Sequence, residues 1–265
     1  MWGAKTLLSL IEGLNRVSAR LARTRTQAFV SQRPILSVSF DDFPKSAWRV
    51  GGAILNAHSA KATYYAAGRF CGKTIEDTVY FDRDDLAAVA AAGHEIGCHT
   101  YSHKPATRIS SAEFRDDCAR NREFVSDRLA DVELTSFAYP YGDVSARAKI
   151  VAGRQYATAR GIRPGVNVSP LDLSLLKALP LELRSWTEER MEGLAADAAG
   201  TNGWLILFTH DVGDEPSRFG CTPGMLNRAL EIGRLHGLEI LPVGAAAQRL
   251  MSPTSARSKI AARAA

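Results

Sequence analysis

The chain has 265 residues, 46% of them hydrophobic, a length and composition that suit one large α/β domain better than two small ones. Its four cysteines, Cys71, Cys98, Cys118 and Cys221, include no Cys-x-x-Cys pair, which argues against a disulfide scaffold and for free thiols in a reducing compartment. The formal charge of +5 sits at the ends, and the body carries no basic stripe interleaved with aromatics, so a nucleic-acid partner is not expected.

Residues 1–33 form a basic N-terminal arm in which Lys5, Arg16, Arg20, Arg23, Arg25 and Arg33 face only Glu12 as countercharge. At a helical period Leu7, Leu10, Ile11, Leu14, Val17 and Leu21 fall within an arc of about 120°, with Lys5, Arg16, Arg20 and Arg23 opposite. Two destinations suit such an amphipathic helix, and a floppy arm is the remaining reading. Its stripe either packs on the protein's own body or a second subunit, or lies on an anionic membrane surface through residues 2–25, with Trp2 at headgroup level. Glu12 and Asn15 interrupt the apolar run, no small-residue cleavage site follows, and no stretch of about 18 apolar residues occurs. A cytoplasmic protein is expected, with peripheral contact at the inner membrane face as the membrane alternative.

From Pro34 the chain alternates short apolar runs with helical patterns, the rhythm of a parallel sheet with crossover helices. Candidate strands are Ile35–Phe40, Ala62–Ala66, Glu95–Cys98, Ser136–Tyr139, Tyr156–Ala159, Leu179–Leu183, Trp204–Phe208 and Glu239–Pro242. The clearest helices are Asp84–Ala92, Ser110–Ala130 and Thr222–His236, the last opening on a Thr-Pro cap and ending before Gly237. Seven or eight such units in a single domain over 34–251 predict an irregular or incomplete (β/α) barrel, followed by a basic tail, 252–265, whose composition is that of a disordered segment.

In parallel α/β folds the loops after strand C-termini carry the chemistry. Four candidate strands end on polar groups: Asp41-Asp42, His99, Tyr141-Gly142 and His210-Asp211. His99 and His103 are four apart, a spacing that puts both rings on one face of a helical turn, and Asp42 reaches them from another strand. Two imidazoles and a carboxylate leave a fourth coordination position open, as catalytic zinc sites do. Asp41 is then free to act as a base. His58, His94 and His236 lack such company and read as structural, and Cys98 reads as buried.

At these residues the chain resembles the metal-dependent polysaccharide deacetylases of the NodB-homology type, carbohydrate esterase family four, from about Pro34 to Val243. Ser39-Phe40-Asp41-Asp42 is similar to the family's Thr-Phe-Asp-Asp motif and His99-Thr100-Tyr101-Ser102-His103 to its His-Ser/Thr-x-x-His motif. Tyr139-Pro140-Tyr141-Gly142 resembles the end of the third motif, and Leu207-Phe208-Thr209-His210-Asp211 the last. The resemblance implies an irregular barrel that removes N-acetyl groups from amino-sugar polymers. It implies Asp42, His99 and His103 as metal ligands, Asp41 as base, the Tyr141 backbone N–H as oxyanion donor, His210 as acid, and Tyr139, Pro140 and Tyr141 at the substrate.

Two departures stand out. The family's third motif opens with an arginine that pairs with the catalytic aspartate, and that position here is Ala138; Arg163 is the first candidate to replace it and Arg160 the second. Phe43 stands where the family has glycine, which is expected to narrow or reshape the rim rather than abolish the metal. Asp172 and Trp186 are the nearest matches to the fourth motif. The signatures around Asp42, Tyr141 and His210 also resemble those of bacterial exopolysaccharide deacetylases, including enzymes that trim adhesin or holdfast-type polymers. That implies an N-acetylated glycan or its lipid-linked precursor as substrate. The donor set accepts Zn2+, Co2+, Mn2+ or iron. The alternatives are a hydrolase of another amide or ester, such as a cyclic ureide or formyl group, and a catalytically weakened glycan-binding protein; the oligomeric state is open.

Overall fold

The computed structural model of the chain describes residues 13, 15, 17–29 and 31–251. Most of the expected N-terminal helix and the tail 252–265 lie outside the described residues. In chain order the strands are β1 (Thr26–Gln27), β2 (Ile35–Asp41), β3 (Thr63–Ala66), β4 (Thr74–Ile75), β5 (Thr78–Val79), β6 (Glu95–Cys98), β7 (Ser136–Ala138), β8 (Thr158–Arg160), β9 (Leu171–Asp172), β10 (Leu179–Pro180), β11 (Trp204–Thr209) and β12 (Glu239–Ile240). One parallel sheet runs β10-β11-β2-β3-β6-β7-β8, and its end strands β10 and β8 do not pair with each other. The barrel is therefore incomplete. β12 pairs with Ile35 and Leu36 at the start of β2, whereas β3 pairs with Ser39, Phe40 and Asp41 at its end, so the two share one side of that strand.

Strand alternation sorts the apolar residues of β2 and β11 into two clusters. Leu36, Val38 and Phe40 join Leu205 and Leu207 in the larger one, with Met191, Leu226 and Leu230 of the covering helices. Ile35, Trp204, Ile206 and Phe208 join a smaller one completed by Val243, Ala246, Ala247 and Leu250 of the helix Val243–Met251. Because both faces are covered, β2 and β11 are buried along their whole length, which is why they read as continuous apolar runs. Ser37 and Ser39 share a face of β2 with Asp41, and each is hydrogen bonded there: Trp204 Nε1 donates to Ser37 Oγ at 2.9 Å, and Ser39 Oγ donates to the Leu207 carbonyl at 2.9 Å. Asp41 continues that polar face to the open end of the curl.

Local signals account for the helix starts. Asp82 and Asp85 form a capping box at the start of Arg83–Ala91, Ser110 and Glu113 another at Ser111–Ser126, and Thr222 accepts from Met225 N–H ahead of Pro223. The described part of the N-terminal arm packs on the body. Lys149 Nζ, 1% exposed, donates to the Ala19 and Ala22 carbonyls at the end of the arm's helical segment, the favourable end for a cation. Arg25 returns the contact, donating to the Tyr156 and Ala157 carbonyls at 2.7 and 3.0 Å just past the helix Ala146–Gln155, and β1 pairs with β9.

Candidate metal centre and active site

The loops that follow β2, β6 and β7 are held in left-handed backbone conformations. Asp42, Phe43, Thr100, His103 and Tyr141 all have φ between 50° and 60°, a costly region for residues with a Cβ that clusters where loops must aim side chains. His99 and His103 consequently do not sit on a helical turn. The segment between them is an irregular loop, closed by the His103 N–H donating to Thr100 Oγ1 at 3.1 Å, and it still brings the rings to a 4.9 Å centroid separation. Phe43 does not narrow the rim. Its backbone keeps the conformation glycine would take, but its ring turns into the core against Phe81 and Tyr64, at 4.8 and 4.9 Å. Phe43→Gly is expected to relieve about 1 kcal/mol of backbone strain and to lose about 3–5 kcal/mol of packing. A net destabilisation of roughly 2–4 kcal/mol is the expected result of chemical denaturation, and an unchanged midpoint would refute it.

Asp42, His99 and His103 present ligand atoms within 4.8 Å of one another. Asp42 Oδ1 lies 3.4 Å from His99 Nε2 and 3.0 Å from His103 Nε2, and this buried oxygen has no hydrogen-bond partner among the described residues. A buried oxygen left without a partner is costly unless a cation takes its lone pairs, so the donor set fits a divalent transition ion. His99 Nδ1 bonds the Ala138 carbonyl at 2.8 Å, which sets the tautomer and turns Nε2 toward Asp42. Burial lowers the His99 imidazole to about 4, keeping it neutral and free to donate a lone pair. For Asp42, burial pushes upward, but His103, His99 and His210 together outweigh it and hold the carboxyl well below the usual range.

Asp41 meets Arg160, not Arg163. The Arg160 guanidinium is fully buried, donates to Asp41 Oδ1, and lies between the rings of Tyr65 and Phe208, 4.8 and 5.1 Å from their centroids. Arg163 is exposed beyond the strand end, because β8 closes at Arg160 and the chain then turns outward. Arg160 is also the direct ladder partner of Ala138, so the guanidinium missing from β7 is delivered at the same level from the neighbouring strand.

Tyr141 lies 63% exposed with its ring 4.5 Å from that of His103, and the turn closes through the amides that follow it, Gly142 N–H to the Tyr139 carbonyl and Asp143 N–H to the Pro140 carbonyl. Tyr139 and Pro140, expected at the substrate, are instead buried beneath the cleft. Tyr139 packs against Phe137 and donates its hydroxyl to the Ser174 carbonyl at 3.0 Å. His210 Nδ1 bonds the Phe219 carbonyl at 3.2 Å, leaving Nε2 3.9 Å from Asp42 Oδ2. Neither Asp172 nor Trp186 lines the cleft: Asp172 pairs with Lys149 at 2.6 Å and Trp186 packs partly buried against the core. Glu182 and Arg184 do line it, joined at 2.7 Å. They escape the sequence reading because β10 ends at Pro180, which turns the expected strand end Leu181–Leu183 into a loop at the working rim. Asp41, Asp42, His99, His103, Tyr141 and His210 share one cavity of about 560 Å3, whose far wall carries the β4–β5 hairpin residues Ile75, Glu76 and Thr78.

Residues 30–161, about half of the chain, match the Polysaccharide deacetylase family. The chain belongs to the polysaccharide deacetylase family. It is 30% identical over 90 residues to a peptidoglycan-N-acetylglucosamine deacetylase of Bacillus cereus, a match covering 34% of this chain and 30% of that protein. Matches to curated relatives thus span a third of their length or less. In fold it is similar to the CE4 domain of a multidomain xylanase from the hindgut metagenome of Trinervitermes trinervoides, with a TM-score of 0.56, 18% identity, and 81% and 89% of the two chains covered. A CE4 family pseudoenzyme from Bacillus anthracis is similar too, with a TM-score of 0.56, 13% identity, and 86% and 70% covered.

Proposed function

We propose that this protein is a metal-dependent deacetylase that hydrolyses the acetamide of N-acetylhexosamine residues in a bacterial exopolysaccharide or its lipid-linked precursor. The single observation that carries this reading is the orphaned, buried Asp42 Oδ1 facing two imidazoles, in a cavity that also holds the Asp41–Arg160 pair. A Zn2+-class ion held by Asp42, His99 and His103 supplies Lewis acidity toward the acetyl carbonyl and eases deprotonation of water. Asp41 accepts the proton of the attacking water, with its carboxylate aimed by Arg160. The Tyr141 N–H donates to the carbonyl oxygen as negative charge develops there. His210 Nε2 protonates the departing nitrogen, and acetate and the free amine leave. The glycan-binding alternative drew its force from Ala138, and Arg160 removes that reason.

Chelation is expected to stop acetate release from N-acetylglucosamine oligomers, and Zn2+, Co2+ or Mn2+ to restore it. Undiminished release from protein shown metal-free by elemental analysis would sink the proposal. The N-terminal arm supplies peripheral contact with the inner membrane face, an extension supported by the exposure of Val17 and Leu21 beside Arg20 and Arg23 and consistent with a cytoplasmic protein. No helix among the described residues is long and apolar enough to cross a membrane. Val17→Glu with Leu21→Glu is expected to reduce sedimentation with anionic vesicles several-fold, about 1 kcal/mol or more of apolar burial being lost; equal sedimentation would discard this contact.

A further inference from the structure

A second cavity, of about 310 Å3, lies beside the catalytic one and shares Gly142 and Ile162 with it as a common wall. Its volume is at the lower end of ordinary ligand pockets, about 300–1,000 Å3. Its charge is one-sided. Arg20 and Arg23 of the N-terminal arm, Arg163 of the loop after β8, Lys177 and Lys149 line it, against the single carboxylate of Asp172. That carboxylate is already engaged, by Lys149 Nζ at 2.6 Å and by the Ser174 N–H at 3.1 Å. Lys149 in turn is consumed by Asp172 and the arm's carbonyls. Arg20, Arg23 and Arg163 have no acidic partner among the described residues, and Lys177 Nζ meets only the Val166 carbonyl, at 3.0 Å. Burial, and after it the neighbouring Arg163, lower the Lys177 ammonium.

We propose that this cavity is an anion subsite that receives a phosphate-class group, a phosphate or diphosphate ester, carried by the same glycan whose acetamide occupies the neighbouring cleft. The inference rests on the deacetylase reading and narrows its substrate to phosphate-linked amino sugars. Three arginines and a lysine line the cavity with about four positive charges and many N–H donors, which suit a multiply charged tetrahedral anion better than the single charge of a uronate carboxylate. The shared Gly142–Ile162 wall sets the anion next to the sugar under attack. Two of the four cations come from the arm that Lys149 and Arg25 fasten to the body, so the arm has a task at the substrate besides any contact with membrane.

The test uses the full chain at fixed ionic strength, since exposed cations are screened by salt. Acetate release is measured from an N-acetylglucosamine oligomer, from the same oligomer as its 1-phosphate, and from that oligomer joined through diphosphate to a short isoprenoid alcohol. Binding of inorganic pyrophosphate and of glucuronate is measured calorimetrically on the same protein. The phosphorylated oligomer is expected to show a KM lower by about tenfold or more, from one or two charge-assisted contacts. Arg163→Gln with Lys177→Gln is expected to erase that gap and pyrophosphate binding, while kinetics on the neutral oligomer stay within about twofold. Equal KM values, a gap that survives both substitutions, or tighter binding of glucuronate than of pyrophosphate would overturn the subsite. A preference for the isoprenoid diphosphate over the 1-phosphate assigns the anion to a lipid-linked end, and equality assigns it to phosphate alone; both support the site. If no oligomer releases acetate, the deacetylase reading falls separately. Pyrophosphate binding that requires Arg163 and Lys177 then still supports the subsite, and absent binding overturns it.

Discussion

Asp41→Asn is expected to lower the turnover of N-acetylglucosamine oligomers by about 10²–10⁴-fold, the span a positioned general base contributes. Asparagine keeps the shape and one acceptor oxygen but cannot take a proton from water. The proposed metal ligands are a separate set, Asp42, His99 and His103, held by their own loops and by the Ala138 carbonyl. Metal content by elemental analysis should therefore match the wild type. The combination of full metal and lost turnover is diagnostic, whereas lost metal would mean that Asp41 is a ligand, and retained turnover would remove it as base. Asp42→Asn has the opposite signature, with metal and activity falling together.

Arg160→Met is expected to cost more stability than any other single change at the site. It leaves the buried Asp41 carboxyl group without its partner, a loss of about 3–5 kcal/mol for a broken internal pair, and withdraws a cation from between two aromatic rings. Turnover should fall with it, because an unrestrained carboxylate no longer points at the attacking water. Arg160→Lys should not rescue, since a point charge on a flexible stem does not reproduce a planar fork seated between rings. Adding Asp41→Asn to Arg160→Met should recover much of the lost stability and none of the activity, because the uncompensated charge is gone along with the base. Moving the group back, as Arg160→Ala with Ala138→Arg, should recover part of the turnover. Denaturation midpoints and acetate release together decide the matter. If Arg160→Met unfolds at the wild-type midpoint, the pair is not the linchpin described.

How much of this is legible in the sequence depends on how local the signal is. The candidate metal cluster is found readily: His99 and His103 are close in the chain, and Asp42 follows an unmistakable apolar strand, so residue type and order suffice to bring the three together even though the loop is not the helical turn their spacing suggests. Strand existence is equally legible, because a parallel sheet buried on both faces writes runs such as Ile35–Phe40 and Trp204–Phe208 into the chain. Cross-strand facts are not. Choosing Arg160 over Arg163 needs the register of β8 against β7 and the residue at which β8 stops, and a shift of one position reverses which way every side chain faces. The same ambiguity misplaces Tyr139 and Pro140 at the substrate. Phe43 misleads for another reason: its backbone stays where glycine's would be, and only three-dimensional packing shows the ring turned inward. Glu182 and Arg184 are hidden by three residues of error at the end of β10.

The side-by-side placement of Ala138 and Arg160 bears on how members of the family are recognised. When a sheet is in parallel register, a side chain can be supplied from either of two adjacent rungs and reach the same point, so a gap in a linear signature need not be a gap in the machinery. Family members with a small residue at that place in the signature should be inspected one strand over before they are sorted among inactive homologues.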